Sequence, residues 1–290
     1  MKVPADAVAR IVLAALEEDA PWGDATSEAL IPARAVVTAQ LVAREPGVLC
    51  GEDVFRAAMT LADAEIVTEF AVADGARFAA GDVLATVQGP ARGVLQAERV
   101  ALNLVQRLCG IATMTAEYVA AARGTKARIV DTRKTTPGLR VLERYAVRCG
   151  GGSNHRFSLS DAVMVKDNHL AVLKANGVSD VSAALRAMKA RLPHTVHVEV
   201  EVDRLEQIES VLAGGADTVL LDNFTLEQLR EGVALIAGRA LVEASGGVRL
   251  ETVAAIVATG VDVISVGALT HSVRALDLGL DIGPQMAKDR

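Results

Sequence analysis

The sequence predicts an α/β protein: an incomplete α/β barrel of about six parallel βα units, preceded by an N-terminal α/β open-sandwich domain. The first half has short apolar runs separated by turn signals, whereas the second half alternates β-branched runs with helical stretches. Nearly every predicted strand of the second half ends on polar residues. A doubly wound sheet also fits the alternation, but only a barrel brings all strand ends to one mouth, so the barrel is favoured.

In the first half, residues 8–16 form an amphipathic pattern typical of a helix, and residues 54–62 combine apolar residues with helix formers. Between 36 and 94, short apolar runs alternate with turn signals such as Asp74-Gly75 and Gly89-Pro90, which predicts a small β-rich domain. Apolar residues at helical spacing then predict a long helix over 98–122.

The second half predicts six strands joined by crossover helices. The predicted strands are 129–130, 162–165, 196–202, 218–221, 240–242 and 261–266, and the predicted helices between them are 178–191, 205–212, 226–236 and 250–258. Such continuously apolar runs are typical of parallel strands that are covered on both faces.

The composition excludes several classes of protein. A pI near 5.5 and an aromatic content of 3% argue against a nucleic-acid surface, which needs a basic stripe and stacking platforms. The three cysteines, Cys50, Cys109 and Cys149, are widely separated and lack metal-ligand or redox spacing, so we expect reduced thiols. Without a cleavage signal or a membrane-length apolar run, a soluble cytoplasmic protein is expected.

Positive charge is concentrated in one segment. Residues 123–169 contain ten Lys/Arg and four Asp/Glu residues, in a chain whose net charge is −6. Several basic groups stand at strand ends and would repel one another unless an anion of several charges binds there; they are Arg133, Lys134, His155, Arg156 and Lys166. By contrast, Arg140, Glu143, Arg144 and Arg148 have the spacing of one solvated helix face.

Two glycine-containing turns follow late strands and precede helices. Ser245-Gly246-Gly247 and the segment Gly267 to His271 would let backbone N–H groups approach a phosphate, although His271 could instead cap its helix. Glu201 and Asp222 end neighbouring strands and predict a site for Mg²⁺ or sugar hydroxyls, although Asp222 could also cap the next helix. Together these groups indicate transfer of a pyrophosphorylated pentose to a dicarboxylate.

Seven ordered motifs resemble the quinolinate phosphoribosyltransferase family. They are Asp131-Thr-Arg-Lys-Thr-Thr-Pro-Gly138, Gly150-Gly-Gly-Ser-Asn-His-Arg156, Val165-Lys-Asp-Asn-His169, Val198-Glu-Val-Glu201, Leu220-Leu-Asp-Asn223, Glu243-Ala-Ser-Gly-Gly247 and Val266-Gly-Ala-Leu-Thr-His-Ser272. The resemblance implies a sandwich domain at 1–104, a catalytic barrel at 105–275 and a tail at 276–290 that returns to the first domain. It also implies that quinolinate and phosphoribosyl pyrophosphate give nicotinate mononucleotide, pyrophosphate and CO₂, with Mg²⁺ as cofactor.

The resemblance assigns roles to individual residues. Quinolinate would be bound by Arg133, His155, Arg156 and Lys166, joined by Arg99 from the neighbouring subunit of a homodimer with shared active sites. Lys134 would contact phosphoribosyl pyrophosphate, and Glu201 and Asp222 would contact the metal and ribose. The 5′-phosphate would lie against Ser245, Gly246, Gly247, Gly267 and His271. The catalytic residues would be Lys134, Lys166, Glu201 and Asp222.

Three alternatives stay open at this point. A phosphoribosyltransferase-like relative linked to molybdate transport would keep the phosphate loops but alter the basic residues around the substrate. A Schiff-base aldolase would use Lys134 or Lys166 as nucleophile, which requires a desolvated lysine. A non-enzymatic regulator would bind the phosphate ligand without releasing pyrophosphate.

Overall fold

The structure, a computed structural model, describes residues 2–283 and divides into two compact units. The first unit comprises the chain up to residue 116, residues 135–151 and the chain from residue 269 on; the second comprises residues 117–134 and 152–268. This division by compactness differs from the boundaries at 104 and 275, which stay predictions. Residues 284–290 of the predicted C-terminal tail lie outside the described part of the chain.

The first unit contains an antiparallel four-stranded sheet. Its strands are β1 (Val36–Ala43), β3 (Val67–Phe70), β5 (Val83–Pro90) and β12 (Leu278–Ile282), in the order β12-β1-β5-β3. A separate two-stranded sheet pairs β2 (Gly47–Val48) with β4 (Arg77–Phe78). Leu41 and Ala39 of β1 are fully buried beside Ala85 and Val87 of β5, so the core of the sheet lies along this central pair.

The second unit is built on a parallel six-stranded sheet. Its strands are β6 (Arg128–Val130), β7 (Val163–Val165), β8 (Val198–Val202), β9 (Thr218–Asp222), β10 (Leu241–Ser245) and β11 (Val263–Ser265), in the order β6-β11-β10-β9-β8-β7. Beyond β6, an isolated parallel bridge joins Val130 to Ser153 and continues the ladder by one residue. The sheet with its crossover helices is the predicted incomplete barrel, so the fold class is confirmed.

The predicted helices are all present close to their expected positions. The helices of the structure are α1 (Ala5–Asp19), α2 (Ala25–Leu30), α3 (Glu52–Ala62), α4 (Ala91–Ala121), α5 (Arg140–Cys149), α6 (Asp167–Ala175), α7 (Val181–Lys189), α8 (Ile208–Ala213), α9 (Leu226–Ile236), α10 (Leu250–Val257) and α11 (Ala268–His271). Helix α4 begins earlier than predicted because Gly89-Pro90, interpreted as a turn, completes β5 opposite Val36 and Val37. Helices α2 and α6 were not predicted. Among residues 2–283, no helix has the length and apolar character to cross a bilayer.

Helix α5 corrects one prediction about charge. Glu143 is 0% exposed and Arg144 is 8% exposed, so the residues 140–148 do not form a solvated face. The Glu143 carboxylate lies 2.6 Å from the Arg107 guanidinium on α4, and the same guanidinium donates to Thr136 Oγ1 and to the Thr270 carbonyl, each at 2.8 Å. Charge spacing alone did not reveal this contact because Arg107 is 36 residues away.

Because the Glu143 carboxylate is buried against a guanidinium, neutralising it should leave Arg107 without its counter-charge. We expect Glu143→Gln to lower the free energy of unfolding by about 2 kcal/mol. Chemical denaturation measures this change. The matched control is Glu209→Gln, which removes an exposed ion pair with Arg239 and should leave the midpoint unchanged. Equal midpoints for Glu143→Gln and the unaltered protein would show that the buried pair contributes nothing.

Candidate active site

Side-chain alternation places carboxylates on one face of the parallel sheet. In β8, Glu199 and Glu201 alternate with three valines, and the period of two sends the carboxylates to one face and the valines to the other. The register pairs Glu199 with Thr218 and Glu201 with Leu220, so Asp222 continues the same row at the end of β9. These acidic groups therefore point to one side of neighbouring strands.

The adjoining strands extend this row. Glu243 lies opposite Leu220, Ser245 lies opposite Asp222, and Met164 of β7 lies opposite Glu199. Lys166 follows two residues after Met164 and shares its face. Parallel strand ends thus bring side chains from distant parts of the sequence to one site, as the barrel prediction required.

These side chains line a cavity of about 400 Å³ within the second unit. Its lining residues are Thr132, Arg133, Lys134, His155, Arg156, Met164, Lys166, Glu201, Leu220, Asp222, Glu243, Ser245 and Ser265. Eight predicted site residues are among them: Arg133, Lys134, His155, Arg156, Lys166, Glu201, Asp222 and Ser245. This volume suits a small ligand.

Five predicted site residues do not line this cavity. Gly246, Gly247 and Gly267 belong to the second unit, but the set of lining residues does not include them. Arg99, which is exposed on α4, and His271, which ends α11, belong to the first unit.

Two guanidinium groups share the cavity. Burial and then the nearby Arg133 lower the pKa of Arg156, although Glu199 and Asp161 oppose this shift. Arg156 donates from Nη1 to the Ala162 carbonyl at 3.1 Å. The Arg133 Nε is buried and has no hydrogen-bond partner among residues 2–283. A buried, unsatisfied donor beside a second cation is costly, and an anionic ligand would satisfy both.

Lys166 and Glu201 form an ion pair at the cavity wall. Lys166 Nζ lies 2.7 Å from Glu201 Oε2, with side-chain exposures of 44% and 13%. A second cavity of about 610 Å³ also contacts Glu201 and Asp222, so these carboxylates border both spaces. Glu201 and Asp222 therefore lie at the boundary between the two cavities.

His155 is held by protein groups on three sides. Its backbone N–H donates to Asp131 at 2.7 Å, Nδ1 accepts from the Arg156 N–H at 2.7 Å, and Nε2 lies 3.0 Å from Glu199. Nε2 also lies 3.6 Å from Glu243. Burial by itself would lower the pKa of His155, but the Glu199, Glu243 and Asp131 carboxylates raise it. The ring is thereby fixed at the cavity wall.

Glu199 and Glu243 belong to two of the sequence motifs but had no predicted role. They are 5% and 3% exposed, and the Oε1 atom of each has no hydrogen-bond partner in the described part of the chain. Burial and then the neighbouring Glu199 carboxylate raise the pKa of Glu243 to about 7. The available signal was an acidic residue inside each of two apolar strands, β8 and β10, which flank β9, because apolar strands rarely bury acids without a partner.

The glycine turn after β10 has a steric cause. Gly246 has a φ of 90°, and a Cβ there would lie 2.2 Å from Asn223 Oδ1. Asn223 also has a positive φ of 58°, and its N–H donates to the Ser245 carbonyl at 2.9 Å. The ends of β9 and β10 are therefore packed so closely that only glycine fits at position 246.

An α/β barrel whose strand ends enclose basic and acidic groups defines an enzyme that acts on a small anion. Two profiles of one family match the chain: "Quinolinate phosphoribosyl transferase, N-terminal domain" over residues 24–109 and "Quinolinate phosphoribosyl transferase, C-terminal domain" over residues 111–281. The chain therefore belongs to the quinolinate phosphoribosyltransferase family.

Individual relatives agree with the family profiles. The chain is 49% identical to a nicotinate-nucleotide pyrophosphorylase [carboxylating] of Mycobacterium leprae, over 96% of this chain and 98% of that protein. It is 41% identical to a probable nicotinate-nucleotide pyrophosphorylase [carboxylating] of Bacillus subtilis, over 91% and 90%. A solved nicotinate-nucleotide pyrophosphorylase of Francisella tularensis superposes with a TM-score of 0.90 at 38% identity, covering 97% and 98%.

These matches confirm the predicted family and enzyme class, a phosphoribosyltransferase of NAD biosynthesis. The molybdate-transport alternative receives no support from them.

The raised pKa of Glu243 makes stability depend on pH. Between the ordinary pKa of a carboxyl and about 7, the unfolded chain ionises Glu243 more readily than the folded protein does, so stability falls as pH rises through this window. The raised pKa of His155 acts in the same direction. We expect the stability of Glu243→Gln to fall less than that of the unaltered protein as the pH rises from 5 to 8. Thermal unfolding at about four pH values measures this fall for each protein.

The control is Glu231→Gln on the exposed side of α9, which should keep the pH dependence of the unaltered protein. If Glu243→Gln lost as much stability over this pH range as the control, the buried carboxyl would not be the source of the effect.

Proposed function

We propose that the 400 Å³ cavity is the active site in which this chain joins quinolinate to phosphoribosyl pyrophosphate, giving nicotinate mononucleotide, pyrophosphate and CO₂. The observation that carries the proposal is the pair Arg133 and Arg156. Arg133 offers a buried, unsatisfied Nε donor, and its charge lowers the pKa of the neighbouring Arg156. A planar dicarboxylate supplies two negative charges and matches the forked geometry of guanidinium groups.

Quinolinate binding would use the basic residues of the cavity. Arg133 and Arg156 would bind its carboxylates, and Lys166 would add a third charge after exchanging its contact with Glu201 for one with the ligand. His155 would contact the substrate through the edge of its ring, since both of its nitrogens already contact protein groups. This arrangement fixes the ring nitrogen relative to the sugar, which is the positional requirement of glycosyl transfer.

The second substrate would occupy the side of the cavity that Lys134 and Ser245 line. Lys134 is exposed and would approach the pyrophosphate as a point charge. The turn of Gly246 and Gly247 would present backbone N–H groups to the 5′-phosphate. Gly267 and His271 stay predicted phosphate contacts on the basis of the resemblance.

Magnesium fits the donor groups at the junction of the two cavities. Glu201 and Asp222 offer carboxylate oxygens at neighbouring strand ends, and Mg²⁺ is commonly held by one or two carboxylates together with substrate phosphates. When bound, the ion would neutralise charge on the departing pyrophosphate. Glu201 and Asp222 would also lie close to the positive charge that develops on the ribose ring.

Decarboxylation would follow from the charge created by glycosyl transfer. Bond formation gives the pyridine nitrogen a formal positive charge, and the electron pair left by the departing CO₂ is stabilised by that charge. The protein would contribute orientation and charge complementarity, without a covalent nucleophile. Unlike a Schiff-base aldolase, this reaction requires no covalent intermediate on Lys134 or Lys166.

The active form is proposed to be a cytoplasmic homodimer with shared sites. Arg99 belongs to α4 in the first unit and is exposed in the single chain. An exposed arginine on a helix is able to complete the substrate site of a second copy, which is the role that the resemblance assigns to it.

A pyrophosphate-release assay tests the reaction directly. Purified protein with Mg²⁺ and phosphoribosyl pyrophosphate should release pyrophosphate with quinolinate but not with nicotinate, because only quinolinate has two carboxylates for the paired guanidiniums. Arg133→Ala should lower kcat/KM for quinolinate roughly 100-fold while leaving binding of phosphoribosyl pyrophosphate largely intact.

The matched control is Arg123→Ala, which removes an exposed arginine outside the cavity and should retain full activity. Release with nicotinate alone would contradict the proposed substrate, and a nearly normal Arg133→Ala enzyme would contradict the assignment of the cavity.

Mixing two inactive variants tests the shared site. Arg99→Ala and Lys166→Ala should each be inactive alone, but their mixed dimers should regain part of the activity because one site of each dimer carries neither substitution. Activity is measured after the subunits are exchanged and mixed dimers are isolated with two affinity tags. Mixed dimers without activity would place Arg99 outside the partner's site.

A further inference from the structure

The fold brings all three cysteines of the chain together within the first unit. The Cys50 N–H donates to Cys109 Sγ at 3.3 Å, and Cys109 Sγ lies 3.5 Å from the Cys50 carbonyl. The ligand atoms of Cys50, Cys149 and Asp74 all lie within 4.8 Å of one another. The wide separation of these residues in the sequence gave no indication of this cluster, because it forms only when α4 and α5 pack beside the loop before α3.

The three thiols differ in exposure. Cys50 and Cys109 are buried, whereas Cys149, the last residue of α5, is partly exposed. A small solute can therefore reach Cys149 first. The buried Cys50 sulfur lies within 4.8 Å of the Cys149 sulfur.

The thiols also differ in acidity. Burial raises the pKa of Cys50, and it raises that of Cys109 to about 12. A hydrogen bond from the Cys50 thiol lowers the pKa of Cys149, against the opposing effects of burial and the Asp74 carboxylate. Cys149 is thus the thiol with the greatest thiolate character, and its hydrogen-bond donor is the thiol with which it could pair.

The other contacts of Asp74 decide between a metal site and thiol chemistry. Asp74 Oδ1 accepts from the Gly51 and Glu52 N–H groups at 2.9 and 3.1 Å, and Oδ2 accepts from the Tyr145 hydroxyl at 2.9 Å. Both oxygens of this carboxylate therefore already accept hydrogen bonds, from the start of α3 and from the Tyr145 side chain. A reaction between the Cys50 and Cys149 thiols would leave these Asp74 hydrogen bonds in place.

We propose that Cys149 and Cys50 form a peroxide-sensitive thiol pair, with Cys149 as the site of attack and Cys50 as the resolving residue. The Cys149 thiolate attacks one oxygen of a hydroperoxide; an S–O bond forms, the O–O bond breaks, and the leaving oxygen takes a proton to become an alcohol or water. Cys50 sulfur then attacks the Cys149 sulfenic acid, forming the S–S bond and releasing water. Two thiols and one hydroperoxide give one disulfide, one alcohol or water, and one further water.

The disulfide would connect the end of α5 to the loop before α3. Cys149 directly precedes Gly150-Gly151-Gly152, and the same segment continues to His155 and Arg156 of the cavity. Oxidation would therefore restrain the chain immediately before two proposed substrate-binding residues. Cys109 is expected to stay a thiol because its sulfur is hydrogen-bonded to the Cys50 backbone.

Peptide mapping without reductant tests the thiol pair. The full-length protein is treated with hydrogen peroxide, its free thiols are alkylated after unfolding, and the peptides are identified by mass spectrometry. The expected result is a peptide that links Cys50 to Cys149, reversed by dithiothreitol, with Cys109 alkylated. Recovery of Cys50 and Cys149 as free thiols, or a disulfide that contains Cys109, would overturn the proposal.

Two serine variants and one control assign the roles. Cys50→Ser should accumulate a Cys149 sulfenic acid that dimedone traps, whereas Cys149→Ser should give no dimedone adduct on Cys50. Cys109→Ser, the matched control, should form the same disulfide as the unaltered protein. If a variant does not fold, alkylation of the unaltered native protein still decides: Cys149 should react roughly tenfold faster than Cys50 or Cys109, and a slower Cys149 would refute its role.

Discussion

Charge balance inside a partly buried cavity is the constraint on which the proposed chemistry depends. The charge of Arg133 lowers the pKa of Arg156, whereas Lys166 is paired with Glu201, and His155 contacts two buried glutamates. The site therefore holds ion-paired cations beside the buried, unsatisfied Nε donor of Arg133. The proposed dicarboxylate would satisfy this donor and lie beside Arg133 and Arg156.

The parallel sheet creates this arrangement through its two-residue period. Valines of β8 fill the layer between strands and helices, and the alternate Glu199 and Glu201 enter the interior of the barrel. Glu199 lies deep and holds His155, whereas Glu201 lies nearer the strand end and contacts Lys166. One strand thus supplies both a positioning carboxylate and a proposed metal ligand, separated by a single residue.

Buried polar contacts recur outside the cavity. Arg107 and Glu143 join α4 to α5, and Asp74 ties Tyr145 of α5 to the start of α3. Both contacts fix the helix that ends at Cys149, directly before the glycines that lead to His155 and Arg156. The position of α5 and the chemistry of its last residue therefore depend on charged groups that are far apart in the sequence.

The sequence by itself determined the fold class, the six strands and the identity of the basic and acidic residues at their ends, because periodicity and strand-end polarity are local properties. It also determined the family, through motifs that extend along the chain. Only the tertiary structure decided that Glu199 and Glu243 share one histidine, that Glu143 is buried against Arg107, and that three separated cysteines meet. Each of these depends on packing between elements distant in sequence, which sets burial and the distances between charges and which no local pattern encodes.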